Sequence, residues 1–150
     1  MIECRTPHFS SRPAGTVIKR IILHCDTSPN EQATINWFAN ADARASYHVL
    51  VGRDGRLYRF VPDLKMAWHA KGHNANSLGL AFSNRNNKQE RLTSVQIAVA
   101  KGVIQRWLRG FPAITTITTH HDVDPKRKSD PYGAPNFELV TFKELLGQYA

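Results

Sequence analysis

The run Thr119-His120-His121-Asp122-Val123-Asp124-Pro125-Lys126-Arg127-Lys128-Ser129-Asp130-Pro131 places imidazole, ammonium and carboxylate groups within one short loop. His24 stands far upstream, at the end of the apolar run Val17 to Leu23. Two imidazoles and a carboxylate suit a borderline divalent ion such as zinc, and three protein ligands leave one coordination position for water. That donor set outlines a hydrolase rather than a structural metal knot. Neighbouring side chains of a strand point to opposite faces, so His24 and Cys25 do not share a site if the strand persists, and the same holds for His120 and His121. Spacing alone leaves open which histidine of the second pair faces the site. Cys25, in an apolar strand, reads as a small core residue.

The elements that must position these groups are legible as patterns. Thr16 to His24 is β-branched and apolar and reads as a buried strand. Ser28-Pro29-Asn30-Glu31 offers an N-cap serine, a proline at the first helical position and a capping-box glutamate, so a helix is expected through about Asn40, burying Ile35 and Phe38. Tyr47 to Arg53 and Arg56 to Val61 flank Asp54-Gly55, a hairpin signal. Ser77 to Ser83 has strand length, and Asn84 to Arg91 reads as an exposed loop. Thr93-Ser94-Val95-Gln96 is a second capping box, opening a helix with Ile97, Ala100, Ile104 and Leu108 at helical spacing and closed by Gly110 and Pro112. Ile114 to Thr119 reads as a strand running into His120. Leu139, Phe142, Leu145 or Leu146, and Tyr149 predict a final helix. Trp37 and Trp107 fall on helical patterns and are expected in the core. Strands interleaved with helices, with one hairpin inside, predict an α/β fold: a single domain with a central mixed sheet flanked by helices. Residues 1–15 read as an N-terminal arm and 16–150 as the domain carrying the site. In such folds ligands gather at the carboxyl ends of strands, where both His24 and His120 are placed.

The bulk numbers narrow the classes. A chain of 150 residues with 41% hydrophobic side chains is long enough for a core without a disulfide scaffold, and Cys4 and Cys25 read as free thiols. The start lacks a secretory pattern, and no apolar run approaches the ~18 residues of a membrane span, so synthesis in a cytoplasm without a signal peptide is expected. The net charge of +8 attracts polyanions, among them nucleic acid and an anionic cell envelope. No helix-turn-helix, zinc-finger or aromatic-basic pattern supports nucleic acid, so none is expected as a partner. A phosphohydrolase using His121-Asp122 as ligands is disfavoured, because that doublet follows a β-branched run.

Six motifs, in order, carry a family resemblance: Leu23-His24-Cys25-Asp26-Thr27-Ser28, Ser46-Tyr47-His48-Val49, Arg53-Asp54-Gly55, Ala67-Trp68-His69-Ala70, Asn76-Ser77-Leu78-Gly79, and His120 through Pro131. Together they resemble the zinc-dependent N-acetylmuramoyl-L-alanine amidases, a group that includes amidase-type phage lysozymes, muropeptide-recycling amidases and peptidoglycan recognition proteins. The resemblance covers about residues 16–146. It implies that His24, His120 and Asp130 bind Zn2+, that Lys128 and Tyr47 are catalytic, and that His69, Trp68 and the stretch Lys71 to Asn76 wall the substrate groove, with Trp68, His69 and Asn76 as its candidate contacts. The third ligand resembles the recycling branch, whereas many phage lysozymes carry a cysteine at the position that is Lys128 here. The recycling branch places a glutamate, assigned as general base, where this chain has Ala81. Tyr47 and the metal are therefore expected to share that role.

The resemblance implies a peptidoglycan hydrolase cleaving the amide between N-acetylmuramic acid and L-alanine. A compact basic domain without an export signal suits a monomeric phage endolysin that reaches the wall after the membrane is breached. The alternatives are a cytosolic recycling amidase and a non-catalytic peptidoglycan-binding module.

Overall fold

The computed structural model describes residues 1–148. Eight strands form: β1 (Ile2–Glu3), β2 (Phe9–Ser11), β3 (Arg20–Cys25), β4 (Val49–Val51), β5 (Leu57–Arg59), β6 (Lys65–Ala67), β7 (Ser77–Phe82) and β8 (Thr116–Thr119). Six of them make one mixed sheet in the order β1-β5-β4-β7-β3-β8, and β2 pairs with β6 apart from it. Strands β4, β7, β3 and β8 run parallel to one another, with β8 at the edge, whereas β4 and β5 form the antiparallel hairpin. Ile21, Ile22 and Leu23 are all fully buried. A continuous apolar run is what a parallel strand covered on both faces requires.

The two faces have separate cores. Ile21, Leu23 and Cys25 pack with Leu78, Leu80 and Phe82 under α2 (Ser94–Gly110), where Ala100, Val103, Ile104 and Trp107 are buried. Phe142 of α4 (Leu139–Lys143) completes this side, and a 3-10 turn, Glu144–Gln148, follows. On the opposite face Phe38 of α1 (Glu31–Ala39) packs with Leu50, Phe60, Ala67 and Ala81. Each buried Val, Leu, Ile or Phe among them contributes roughly 1.5–3 kcal/mol by leaving water. The face alternation within β3 puts Cys25 in the α2 core and His24 on the α1 side.

The capping box of α2 forms as its sequence predicts, with the Thr93 side chain accepting from Gln96 N–H and Gln96 reaching back to Thr93 N–H. The hairpin closes through a turn from Gly52 to Gly55, and Gly55 takes φ +86, which a side chain at that position would resist. Several expectations are corrected. The cap of α1 is Asn30, which accepts from Ala33 N–H; the Ser28 hydroxyl instead donates to Asn30 O, so the helix starts two residues later. Ile35 is half-buried and Trp37 is half-exposed, because Thr34 and Phe38 face the sheet and Trp37 does not. β3 begins at Arg20 rather than Thr16, leaving Val17 exposed. Within residues 1–15, β1 pairs with β5 and β2 with β6, pairings too short to read from pattern. Tyr149 lies outside the described residues.

Candidate metal centre and its cleft

The parallel register of β3 and β8 assembles the site. Leu23 is opposite Thr119, so the next residues stand side by side, His24 still within β3 and His120 just past the end of β8. His120 opens a single helical turn, α3 (His120–Val123), capped by the Thr119 hydroxyl, which accepts from Asp122 N–H. The loop then folds back on itself: Lys128 N–H donates to Asp124 O at 2.9 Å, and His121 N–H to Asp130 O at 3.0 Å. Asp130 is thereby returned to the end of β3, where Cys25 N–H donates to its Oδ2 at 3.2 Å.

His24, His120 and Asp130 are all buried, and their ligand atoms lie within 4.8 Å of one another. His24 Nδ1 is 3.0 Å from His120 Nδ1 and 3.5 Å from Asp130 Oδ2, and His120 Nδ1 is 3.3 Å from the carboxylate. Ligand atoms ~2.0–2.1 Å from a tetrahedral ion stand about 3.3 Å apart. Three acceptor-type atoms converging at that spacing fit one divalent cation with an open fourth position. Between His120 and His121, which spacing left open, the structure selects His120. The His121 ring turns away, with Nδ1 2.6 Å from Lys128 O.

The electrostatics favour a cation. Burial pushes the His24 pKa down to about 4, with His120 and Lys128 adding to the effect against the pull of Asp130. Burial alone would raise the Asp130 carboxyl, but its interactions with the His120 and His24 imidazoles outweigh it and hold it well below the usual carboxylate range. At neutral pH an ionised carboxylate therefore faces an uncharged His24. Burial also holds His69 well below an ordinary histidine and pushes the Tyr47 phenol well up.

A cleft of about 370 Å³ opens beside the triad, lined by Arg44, Trp68, Lys71, Asn74, His120 and Lys128 among others. Lys128 is half-buried there. The Tyr47 ring lies 5.1 Å from that of His24, and its hydroxyl is 3.4 Å from Cys25 O. Trp68 is half-buried, its Nε1–H donating to Ser10 Oγ at 3.1 Å. His69 lines the cleft with only a small exposed edge, and both ring nitrogens are turned inward: its Nδ1 is 2.8 Å from His24 Nε2, and its Nε2 is 3.0 Å from Ser77 Oγ. Asn76 is not brought to the cleft. Its Oδ1 accepts from Arg20 at 3.1 and 3.2 Å, at the opposite end of β3, four residues or about 13 Å from His24. Asn74 stands at the cleft instead and accepts from His69 and Ala70 N–H groups. Pattern reading missed Gly79, although an isolated glycine inside an apolar strand signals close approach. A Cβ there would stand 2.6 Å from His69 Cγ. It also missed Trp37, half-exposed in a second hollow with Thr27, Ala33, Ala45 and Tyr47, on the other flank of Tyr47.

A family model described as N-acetylmuramoyl-L-alanine amidase matches residues 14–133, a span that contains the triad, Tyr47 and Lys128. The chain belongs to that family. The amidase is 32% identical, over 94% of its length and 87% of the relative's, to the 1,6-anhydro-N-acetylmuramyl-L-alanine amidase AmpD of Enterobacter cloacae. It is 25% identical to the endolysin of Enterobacteria phage T3, over 89% of each chain. Its fold matches a crystal structure of AmpD with a TM-score of 0.75, covering 97% of this chain and 93% of that one at 24% identity. The amidase thus shares the mixed sheet flanked by helices of its relatives. Among the described residues, no helix is long and apolar enough to cross a membrane.

Proposed function

We propose that this amidase is zinc-dependent and hydrolyses the amide between the lactyl group of N-acetylmuramic acid and L-alanine in peptidoglycan. The convergence of His24, His120 and Asp130 at tetrahedral spacing, at the head of the cleft, carries this reading. These three residues would hold the ion, which when bound lowers the pKa of a coordinated water toward ~7. The chain's own groups do the rest. Lys128, on the cleft wall, supplies positive charge where the attacked carbonyl oxygen becomes negative. Tyr47, packed on His24, presents a hydroxyl that donates to substrate or water at the same place. Ala81 faces the α1 side beside His24 and offers no carboxylate, so the proton taken from water is not passed to a residue at that position. Trp68 provides an apolar wall for the sugar, and Arg44, Lys71 and Lys128 make the cleft cationic, suited to an acidic stem peptide. The test is digestion of purified peptidoglycan: new L-alanine amino termini should appear, vanish after chelation and return with zinc. Activity that survives complete chelation refutes the mechanism.

The biological setting proposed is a phage endolysin acting as a monomer on the wall after membrane breach, with the net charge of +8 aiding contact with an anionic envelope. A second reading, a cytosolic recycling amidase, is favoured by Asp130 as third ligand and by the likeness to AmpD. Relative rates on intact sacculi and on soluble anhydro-muropeptides separate the two, since an endolysin must act on the polymer.

A further inference from the structure

The neighbours of His24 determine which of its nitrogens is free. The Ser77 hydroxyl lies 2.7 Å from His73 O and 3.0 Å from His69 Nε2. A carbonyl only accepts, so the single hydroxyl proton points at His73 O. The Ser77 oxygen is then an acceptor, and His69 Nε2 must carry the proton between them. A neutral imidazole has one N–H, which leaves His69 Nδ1 as a bare acceptor. That atom is 2.8 Å from His24 Nε2, so His24 must be protonated on Nε2 and present its lone pair from Nδ1. Nδ1 is the atom that faces His120 and Asp130. The opposite assignment sets the Ser77 oxygen and the His73 carbonyl oxygen 2.7 Å apart with no proton between them.

We infer that Ser77 and His69 form a tautomer lock that commits the Nδ1 lone pair of His24 to the metal, which makes His69 a positioning residue at the cleft wall. The lock is anchored and enclosed. Arg20 Nη2 is 3.4 Å from His73 O and 3.2 Å from His73 Nδ1, and the guanidinium is itself held by Asn76 Oδ1. His24 and Ser77 are fully buried and His69 nearly so, so water does not compete for these protons. Gly79 admits the ring, since a Cβ would meet its Cγ and Nδ1 at 2.6 Å. This gives Asn76 a part at the far end of the lock rather than in the groove.

The inference rests on the metal reading above, and the test separates the two. Zinc affinity is measured by competition with a chromophoric chelator for the wild type, His69→Phe, His69→Gln and Ser77→Ala, with folding of each metal-free protein checked by thermal unfolding. His69→Phe keeps a ring but no acceptor and should weaken zinc binding about 10–100-fold, the range for loss of a partner behind a ligating histidine. His69→Gln restores an acceptor carbonyl and should recover most of that loss, a rescue that a purely space-filling role would not show. Ser77→Ala should fall between. In the metal-free wild type, long-range 15N correlation spectra at neutral pH should show His24 protonated on Nε2. A wild type that binds no zinc overturns the metal reading. A wild type that binds zinc while His69→Phe binds it equally well, or a His24 ring protonated on Nδ1, overturns the lock alone. Should His69→Phe fail to fold, Ser77→Ala and the wild-type spectrum decide.

Discussion

Gly79→Ala is the sharpest perturbation of this architecture, because it adds one methyl group against a ring held at both of its nitrogens. Gly79 lies in β7 with no positive φ, so the substitution brings no backbone strain. The added Cβ would meet His69 Cγ and Nδ1 at 2.6 Å and Cδ2 at 3.0 Å. Carbon contacts settle near 3.5–4.0 Å, so the ring must retreat by about 1 Å. Cγ is the root of the ring, so rotation about χ2 does not clear the clash, and rotation about χ1 would pull Nδ1 from His24 and Nε2 from Ser77. A retreat of that size stretches the 2.8 Å contact with His24 beyond hydrogen-bond range. Overpacking costs ~1–3 kcal/mol and an unsatisfied buried imidazole nitrogen a further ~1–3 kcal/mol. At about 2–4 °C per kcal/mol for a chain of this size, Tm of the metal-free protein should fall by at least ~4 °C. Zinc affinity should fall about 10–100-fold in parallel. Thermal unfolding followed by circular dichroism, with a zinc titration, reads both. A Tm within about 1 °C of the wild type, with unchanged zinc affinity, would refute the close-packing argument.

Gly102→Ala is the matching control: nothing lies within 4 Å of its Cβ position and it sits exposed within α2, so stability in a urea titration should rise by ~0.5–1 kcal/mol. Lys128→Ala should retain zinc but lose turnover about 10²–10³-fold, or ~2.7–4 kcal/mol of transition-state stabilisation; less than a tenfold loss in steady-state kinetics removes its assigned role. His48 is fully buried, its Nδ1 accepting from Gly79 N–H and its Nε2 facing Lys65 O, and burial pushes its pKa down to about 4. The unfolded chain, with histidine near ~6.5, binds the extra proton first, so stability present at neutral pH is lost as pH falls through this window, by on the order of 3 kcal/mol from this side chain. Urea titrations from pH 7 to 4.5 should show a shallower pH slope for His48→Gln, and an equal slope refutes the assignment.

The elements were legible where one local rule dominates. The capping box at Thr93, the Asp54-Gly55 turn and the apolar run into His24 each encode their structure within a few residues, and all three form. Boundaries were less legible where local signals compete: Ser28 and Asn30 are both cap residues, and the geometry at Asn30 wins. Trp37 shows the limit of periodicity, because which arc of a short helix meets the sheet depends on the orientation of α1, not on its spacing.

For the site, residue types and strand-end positions determined that His24, the His120-His121 pair and Asp130 were candidates, and the motif order determined the family. Spacing left His120 and His121 open and the family resemblance pointed to His120; how the His121 ring turns away, that Asn76 binds Arg20 while Asn74 reaches the cleft, and that His69 backs His24, were decided only in three dimensions. The physical reason is that a ligand set is a statement about distances between atoms remote in the chain. Those distances follow from the register of β3 against β8 and β7, fixed by packing on both faces of the sheet.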